Sequence, residues 1–130
     1  MGRLFLLLLV ALGAGFYFPE SRAILVERLQ TALNPGYRWA SGGEMKQIVR
    51  DLQEWERVGR GLPVGRGEFE PWLRNRYQML ESTMDSWGTT YRLEVRGRVV
   101  RVISAGPDRT FGTPDDMVET GELPPERRRR

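Results

Sequence analysis

Apolar residues follow three patterns along the chain, and the first is a continuous run. Leu4–Phe18 contains fifteen residues without a charge, directly after Arg3. The run is apolar on every side, which is typical of a membrane-directed segment and not of a helix in a soluble core. At 1.5 Å per residue it would span roughly 22 Å, against a hydrocarbon core about 30 Å thick. The pattern predicts a transmembrane signal anchor or a cleaved signal peptide over residues 1–19.

The residues in and after this run leave both alternatives open. Small residues between Ala11 and Gly15 offer a weak signal-peptidase site, whereas Phe16–Phe18 resemble an interfacial aromatic belt. We favour the anchor. Arg3 on the near side would place the chain after Pro19 outside the cytoplasm.

The second pattern is helical spacing, which begins directly after the apolar run. Residues 20–33 carry apolar side chains at helical spacing: Ile24, Leu25, Leu29, Ala32 and Leu33. The sequence Asn34-Pro35-Gly36 follows directly after them. We expect Pro35 and Gly36 to end this helix and Ser41-Gly42-Gly43 to form a second break. Residues 20–43 are therefore predicted to be a juxtamembrane helix and linker, with the domain boundary before residue 44.

The strongest helical pattern covers Glu44–Val58. One side is apolar, and the other carries Lys46, Arg50, Asp51 and Glu54; the apolar positions are Met45, Ile48, Val49, Leu52, Trp55 and Val58. A shorter helix is predicted within Glu68–Leu80, where aromatic residues and leucines share one side. We expect these aromatic side chains to belong to the core.

The third pattern has a period of two and follows Ser82. Residues 91–95 and 100–102 alternate apolar and charged side chains. We predict two strands on either side of an Arg96-Gly97 turn, with Leu93 opposite Val100. The predicted fold class is α+β: an N-terminal membrane helix, then an amphipathic helix packed on a small antiparallel hairpin or sheet.

Composition and charge exclude several classes of function. The chain has no Cys and no His, which excludes disulfides, thiolate or imidazole metal sites, Cys nucleophiles and Ser-His-Asp triads. Lys and Arg number 20 against 17 Asp and Glu, but four arginines lie at Arg127–Arg130. The rest of the chain is nearly neutral, so we expect no nucleic-acid partner. Carboxylates such as Glu54, Glu68 and Glu70 have no positioned catalytic partner, so we expect no enzyme.

Candidate site chemistry is concentrated in Ser104–Met117, with the sequence SAGPDRTFGTPDDM. Asp108, Asp115 and Asp116 lie close together in sequence among glycines and prolines that enforce tight turns. Hard oxygen ligands on a curled backbone suit calcium, which takes six to eight oxygens at about 2.3–2.6 Å. The regular spacing of an EF-hand is absent from the sequence. The alternative is that these aspartates are ordinary turn residues that accept hydrogen bonds from their own backbone.

Two motifs in the C-terminal half resemble the major pseudopilin of type II secretion systems. The first is Asp85-Ser86-Trp87-Gly88-Thr89-Thr90-Tyr91, and the second joins Ser104-Ala105-Gly106-Pro107-Asp108 to Gly112-Thr113-Pro114-Asp115-Asp116. The similarity covers Glu44–Met117. It implies a pilin-like fold with a C-terminal calcium-binding loop, in which Asp108, Asp115 and Asp116 supply side-chain ligands. It also implies a main-chain carbonyl ligand at Ala105.

The resemblance further implies a structural function. In that family, calcium stabilises the globular head, and subunits packed through their N-terminal helices form a short periplasmic filament that drives protein export. We therefore expect a membrane-anchored, pseudopilin-like subunit or accessory of a type II secretion or pilus-like assembly. The expected location is the bacterial inner membrane, single-pass, with the head in the periplasm. Expected partners are the membrane, other pilin-like subunits or secretion-system components, and further copies of the chain.

The N-terminus departs from the family pattern. Pseudopilins carry a Gly-Phe-Thr-Leu-x-Glu processing site directly before the apolar helix, whereas here the apolar run precedes the partial match of Gly15-Phe16 and Glu20. An alternative function is therefore a non-polymerising, membrane-tethered, extracytoplasmic binding module that depends on calcium. The head is predicted to cover residues 44–118, and residues 119–130 to form a disordered, Arg-rich tail.

Overall fold

The structure is a computed structural model that describes Leu6, Leu7, Val10, Gly13 and residues 19–64, 67–78 and 80–125. The chain divides into two compact units, Met1–Pro35 and Gly36–Arg130. Its elements in order are helix α1 (Pro19–Arg57), helix α2 (Phe69–Arg76), a 3₁₀ helix (Leu80–Thr83) and strands β1 (Arg92–Arg96), β2 (Val99–Ser104) and β3 (Met117–Glu122). The predicted α+β class is confirmed by this arrangement.

Helix α1 contains the amphipathic segment predicted after Glu44, and Met45, Ile48 and Leu52 on its apolar side are at most 1% exposed. The predicted breaks in the helix are wrong, because Pro35 lies inside α1 and the helix also includes Ser41-Gly42-Gly43. An internal glycine costs about 1 kcal/mol and an internal proline about 3 kcal/mol. At Ser41-Gly42 tertiary packing overrides the penalty, because Ser41 is fully buried and accepts from the Ser86 N–H.

Helix α2 and the segment around it supply the aromatic part of the core. Phe69 and Trp72 are each 8% exposed, which confirms their predicted burial. The Trp72 ring stacks on Phe69, with centroids 6.0 Å apart, and meets Trp55 of α1 edge to face at 5.9 Å. The contact between Trp72 and Trp55 packs α2 against α1.

The three strands form an antiparallel sheet in the order β1-β2-β3. Leu93 lies opposite Val102 and Val95 opposite Val100, so the hairpin turn is Gly97-Arg98. Gly97 has φ +57°, a left-handed conformation that favours glycine. The predicted turn and register are therefore wrong. Because side chains alternate at every residue, the change from Val100 to Val102 as the partner of Leu93 leaves the predicted apolar face intact.

Strand β3 was not predicted, and it replaces the beginning of the expected disordered tail. Its register with β2 places Gly121 opposite Val100 and Met117 opposite Ser104. Leu123, directly after the strand, is 8% exposed, and its N–H donates to the Arg98 carbonyl at 2.7 Å. The sheet therefore includes residues that we assigned to the tail from position 119. Residues 126–130 of that tail lie outside the described residues.

The sheet and helix α1 approach each other closely at Gly121. A Cβ atom on Gly121 would lie 2.3 Å from Val49 Cγ1 and 2.9 Å from Gln53 Nε2. Gln53 Nε2 also donates to the Glu122 carbonyl at 2.7 Å. The core lies between these surfaces and includes Val100 and Val102 of the central strand.

The predicted N-terminal membrane helix is corrected by the structure. Over the described ranges, no helix is both long enough and apolar enough to span a membrane. Helix α1 has the length, but charged residues such as Glu20, Arg22, Glu27 and Arg28 interrupt its apolar positions. Of the run Leu4–Phe18, only the exposed, helical residues Leu6, Leu7, Val10 and Gly13 are described, so most of that prediction falls outside the described residues.

Candidate functional site

The predicted calcium loop connects the end of β2 to the start of β3. Ser104 and Ala105 are fully buried at its beginning, and Gly106 follows with φ +69°. A Cβ atom on Gly106 would lie 2.3 Å from the Asp115 carbonyl oxygen. Only glycine fits this close approach, which brings the start of the loop, with Ala105, against Asp115 near its end.

Asp108 lies in an exposed turn within the loop. Its Oδ1 accepts a hydrogen bond from the Thr110 N–H at 2.9 Å, and its carbonyl accepts one from Thr110 Oγ1 at 3.1 Å. Arg109 between them has φ +57°, a left-handed conformation that is uncommon for residues other than glycine. One oxygen of the Asp108 carboxylate is therefore held by the backbone of its own turn.

Asp116 has one satisfied and one unsatisfied carboxylate oxygen. Oδ2 accepts from the Gly112 N–H at 2.8 Å, which closes the second turn of the loop. Oδ1 is buried and has no hydrogen-bond partner among the described residues. A buried carboxylate oxygen without a partner is unfavourable, because it loses its hydration without compensation.

The structure brings the predicted ligands into one loop without closing a metal cluster. Among described residues, no group of three or more acidic side chains is arranged so that it could hold a metal ion. Asp108 and Asp116 both accept backbone hydrogen bonds, which is the behaviour of turn residues and is also compatible with orienting ligands. The assignment of Asp108, Asp115, Asp116 and Ala105 as calcium ligands therefore stays a prediction.

Asp85 is a further candidate functional residue, which the sequence indicated only as part of the first motif. It is 4% exposed, and its Oδ1 accepts from the N–H groups of Trp87 at 3.1 Å and Thr89 at 2.8 Å. Its Oδ2 accepts from Ser104 Oγ at 2.6 Å. Asp85 belongs to the first motif and Ser104 to the second, so this bond joins the two motifs directly.

The first motif is also attached to helix α1. The Ser86 N–H donates to Ser41 Oγ at 3.0 Å, and Ser86 Oγ donates to the Tyr37 carbonyl at 3.2 Å. Trp87 is 7% exposed and meets the Tyr37 ring edge to face, with centroids 6.0 Å apart. The motif therefore fixes a loop that packs on helix α1 on one side and on the end of β2 on the other.

Tyr91 closes the first motif with a contact to helix α1. It is 3% exposed, and its hydroxyl donates to Glu44 Oε2 at 2.6 Å. Burial, followed by the hydrogen bond to Glu44, raises the pKa of Tyr91 above its usual value. The phenol therefore stays protonated and acts as a donor throughout the neutral range.

Comparison of the chain with protein-family models, with curated proteins and with solved structures finds no match. The two motifs and their contacts are therefore what supports a functional assignment.

Proposed function

We propose that the chain is a pseudopilin-like structural subunit or accessory of a type II secretion or pilus-like assembly, with a head stabilised by calcium. The observation that supports this most strongly is the 2.6 Å hydrogen bond from Ser104 to Asp85. The resemblance rests on two motifs that are separate in sequence. Their direct contact is what is expected if they form one functional unit.

The loop chemistry fits calcium. The buried, unpartnered Oδ1 of Asp116 is a hard oxygen donor in a loop that carries two further carboxylates, those of Asp108 and Asp115. Calcium accepts such oxygens together with main-chain carbonyls, of which Ala105 would supply one. Bound calcium would offset two of the three negative charges of these carboxylates and attach the loop to the end of the sheet.

The proposed role is structural and requires no chemical step. A head whose folded state is stabilised by calcium would present one fixed surface to neighbouring subunits. The periplasmic location of the head, predicted from the resemblance, belongs to this proposal and stays a prediction.

Sedimentation velocity of the full chain, with calcium or with a chelator and over a range of protein concentrations, tests the subunit role. We expect association that increases with protein concentration and is stronger with calcium. The Asp115→Ala, Asp116→Ala double variant should lose the calcium effect. A control that also removes two carboxylates, Glu54→Ala with Glu70→Ala on helices α1 and α2, should retain it. A wild-type chain that stays monomeric under both conditions would contradict the proposal and favour a non-polymerising binding module.

A further inference from the structure

We infer that Asp85 is a positioning residue for the proposed calcium loop, acting through Ser104 and Gly106. The inference rests on the proposed function, because it assigns a further residue to the same site. Asp85 itself lies outside the loop and is not one of the predicted ligands.

Asp85 is held rigidly by its own surroundings. Its carboxylate is almost completely buried and accepts three hydrogen bonds, from Trp87 N, Thr89 N and Ser104 Oγ. Its N–H also donates to the Thr89 carbonyl at 2.8 Å. Each of the three side-chain hydrogen bonds is accepted by a carboxylate oxygen, two from N–H groups and one from a hydroxyl.

The hydrogen bond to Asp85 determines the orientation of the Ser104 hydroxyl. Because Ser104 Oγ donates its proton to Asp85, its lone pairs remain available as acceptors. One of them accepts the Gly106 N–H at 3.1 Å. Asp85 therefore fixes the backbone at Gly106 through one intermediate side chain.

The position of Gly106 determines where the end of the loop can lie. Its Cα packs so tightly on Asp115 that an added Cβ would approach the Asp115 carbonyl to 2.3 Å. Asp115 is followed by Asp116, which carries the buried and unpartnered Oδ1. The contacts thus run without interruption from Asp85 through Ser104 and Gly106 to the residues proposed to bind calcium.

An asparagine at position 85 would break this series of contacts at its first step. In one orientation the amide nitrogen would face the Ser104 hydroxyl, which already accepts from Gly106 N. In the other it would face the N–H groups of Trp87 and Thr89. In the first orientation the Ser104 hydroxyl proton loses its acceptor, and in the second the amide N–H groups meet the N–H groups of Trp87 and Thr89. Asp85→Asn therefore weakens this series of contacts while preserving the size of the side chain.

Calcium titration of the full chain by isothermal titration calorimetry tests the inference. Changing a residue that orients a metal ligand typically weakens metal binding 10–100-fold. We expect the calcium Kd of Asp85→Asn to rise by about tenfold or more, and that of Ser104→Ala to rise in the same direction. The control is Tyr77→Phe, which also removes a hydroxyl-to-carboxylate hydrogen bond, to Asp51, but one outside the loop and its supporting contacts. Its Kd should equal that of the wild type, which separates positioning from general loss of stability.

The outcomes distinguish this inference from the proposed function. If the wild type binds calcium and both Asp85→Asn and Ser104→Ala bind it equally well, the positioning role is overturned and the calcium head is retained. If the wild type releases or absorbs no binding heat and shows no calcium-dependent change in its thermal midpoint, both are overturned. Should Asp85→Asn fail to fold, Ser104→Ala decides, because it leaves the hydrogen bonds from the Trp87 and Thr89 N–H groups to Asp85 in place.

Discussion

Asp51 shows how a single ionised residue can hold two helices together. It lies on α1 and accepts hydrogen bonds from Arg76 Nη2 at 3.0 Å and Gln47 Nε2 at 3.2 Å, and a short one from the Tyr77 hydroxyl. Burial alone would raise the pKa of Asp51, but the hydrogen bonds from Arg76 and Tyr77 and the charge of Arg76 outweigh it. The net effect is a pKa below the usual value. The ionised form therefore stabilises the folded state.

The contribution of Asp51 to stability should depend on pH in a defined direction. Because the folded pKa is lower than the unfolded value of about 3.9, the contribution is complete above about pH 4 and is lost as the pH falls through the folded pKa. We expect Asp51→Asn to lower the free energy of unfolding by about 1–3 kcal/mol at neutral pH. Urea unfolding at several pH values measures the difference from wild type, which should shrink below about pH 4. A difference that stays constant down to pH 2.5 would contradict this account.

At the scale of elements, the contact between strand β3 and helix α1 is the feature least visible in the sequence. Gly121 faces Val49 and Gln53 with no space for a Cβ atom. A side chain at residue 121 would therefore require Val49 and Gln53 to shift or the strand to move away from the helix. Gly42 on the same helix is a matched control, because its added Cβ would make only an ordinary contact, 3.8 Å from Met117 Cε.

The two glycine-to-alanine substitutions should have opposite effects. Gly121→Ala should lower the free energy of unfolding by about 1–3 kcal/mol, because it forces the strand away from the helix. Gly42→Ala should raise it by about 0.5–1 kcal/mol, because alanine favours the helix. Chemical denaturation of both variants gives the two values. Equal effects would mean that β3 does not pack on α1 in this way.

Elements with strong periodicity could be predicted from the sequence, and those set by distant contacts could not. The apolar side of Glu44–Val58 and the alternation of the hairpin both reflect burial. The buried face of each element was therefore predicted correctly. The hairpin register was wrong because the alternation is equally satisfied by a displacement of two residues. Strand β3 was missed because its sequence, MVETGE, lacks a clear alternation of apolar and polar residues. The close contact between Gly121 and Val49 joins residues that are far apart in sequence.

For the candidate site, too, the local features could be predicted from the sequence and the distant contacts could not. The clustering of Asp108, Asp115 and Asp116 in one loop follows from their proximity in sequence. The role of Asp85 depends on Ser104, which is nineteen residues away, and local spacing carries no information about that bond. The position of Asp85 in the first motif could have suggested that it is a buried turn residue. Its hydrogen bond to Ser104 becomes visible only in the folded structure.

At the scale of the whole molecule, the unit Gly36–Arg130 combines the two motifs, helix α2 and the sheet. The first motif contacts α1 through Ser86 and contacts β2 through Asp85. The predicted calcium loop is attached to the same buried network through Ser104 and Gly106. Binding of an ion in this loop should therefore stabilise the unit as a whole and not only the loop.

The thermal midpoint of the full chain, measured with calcium and then with a chelator, shows whether calcium binding stabilises the folded unit. A ligand at a hundred times its Kd adds about 2.7 kcal/mol to the free energy of unfolding, which should raise the midpoint by roughly 10 °C for a unit of this size. The Asp115→Ala, Asp116→Ala double variant should abolish the rise, and the Glu54→Ala, Glu70→Ala control should preserve it. An unchanged midpoint in the wild type at millimolar calcium would contradict the account and identify the aspartates as turn residues.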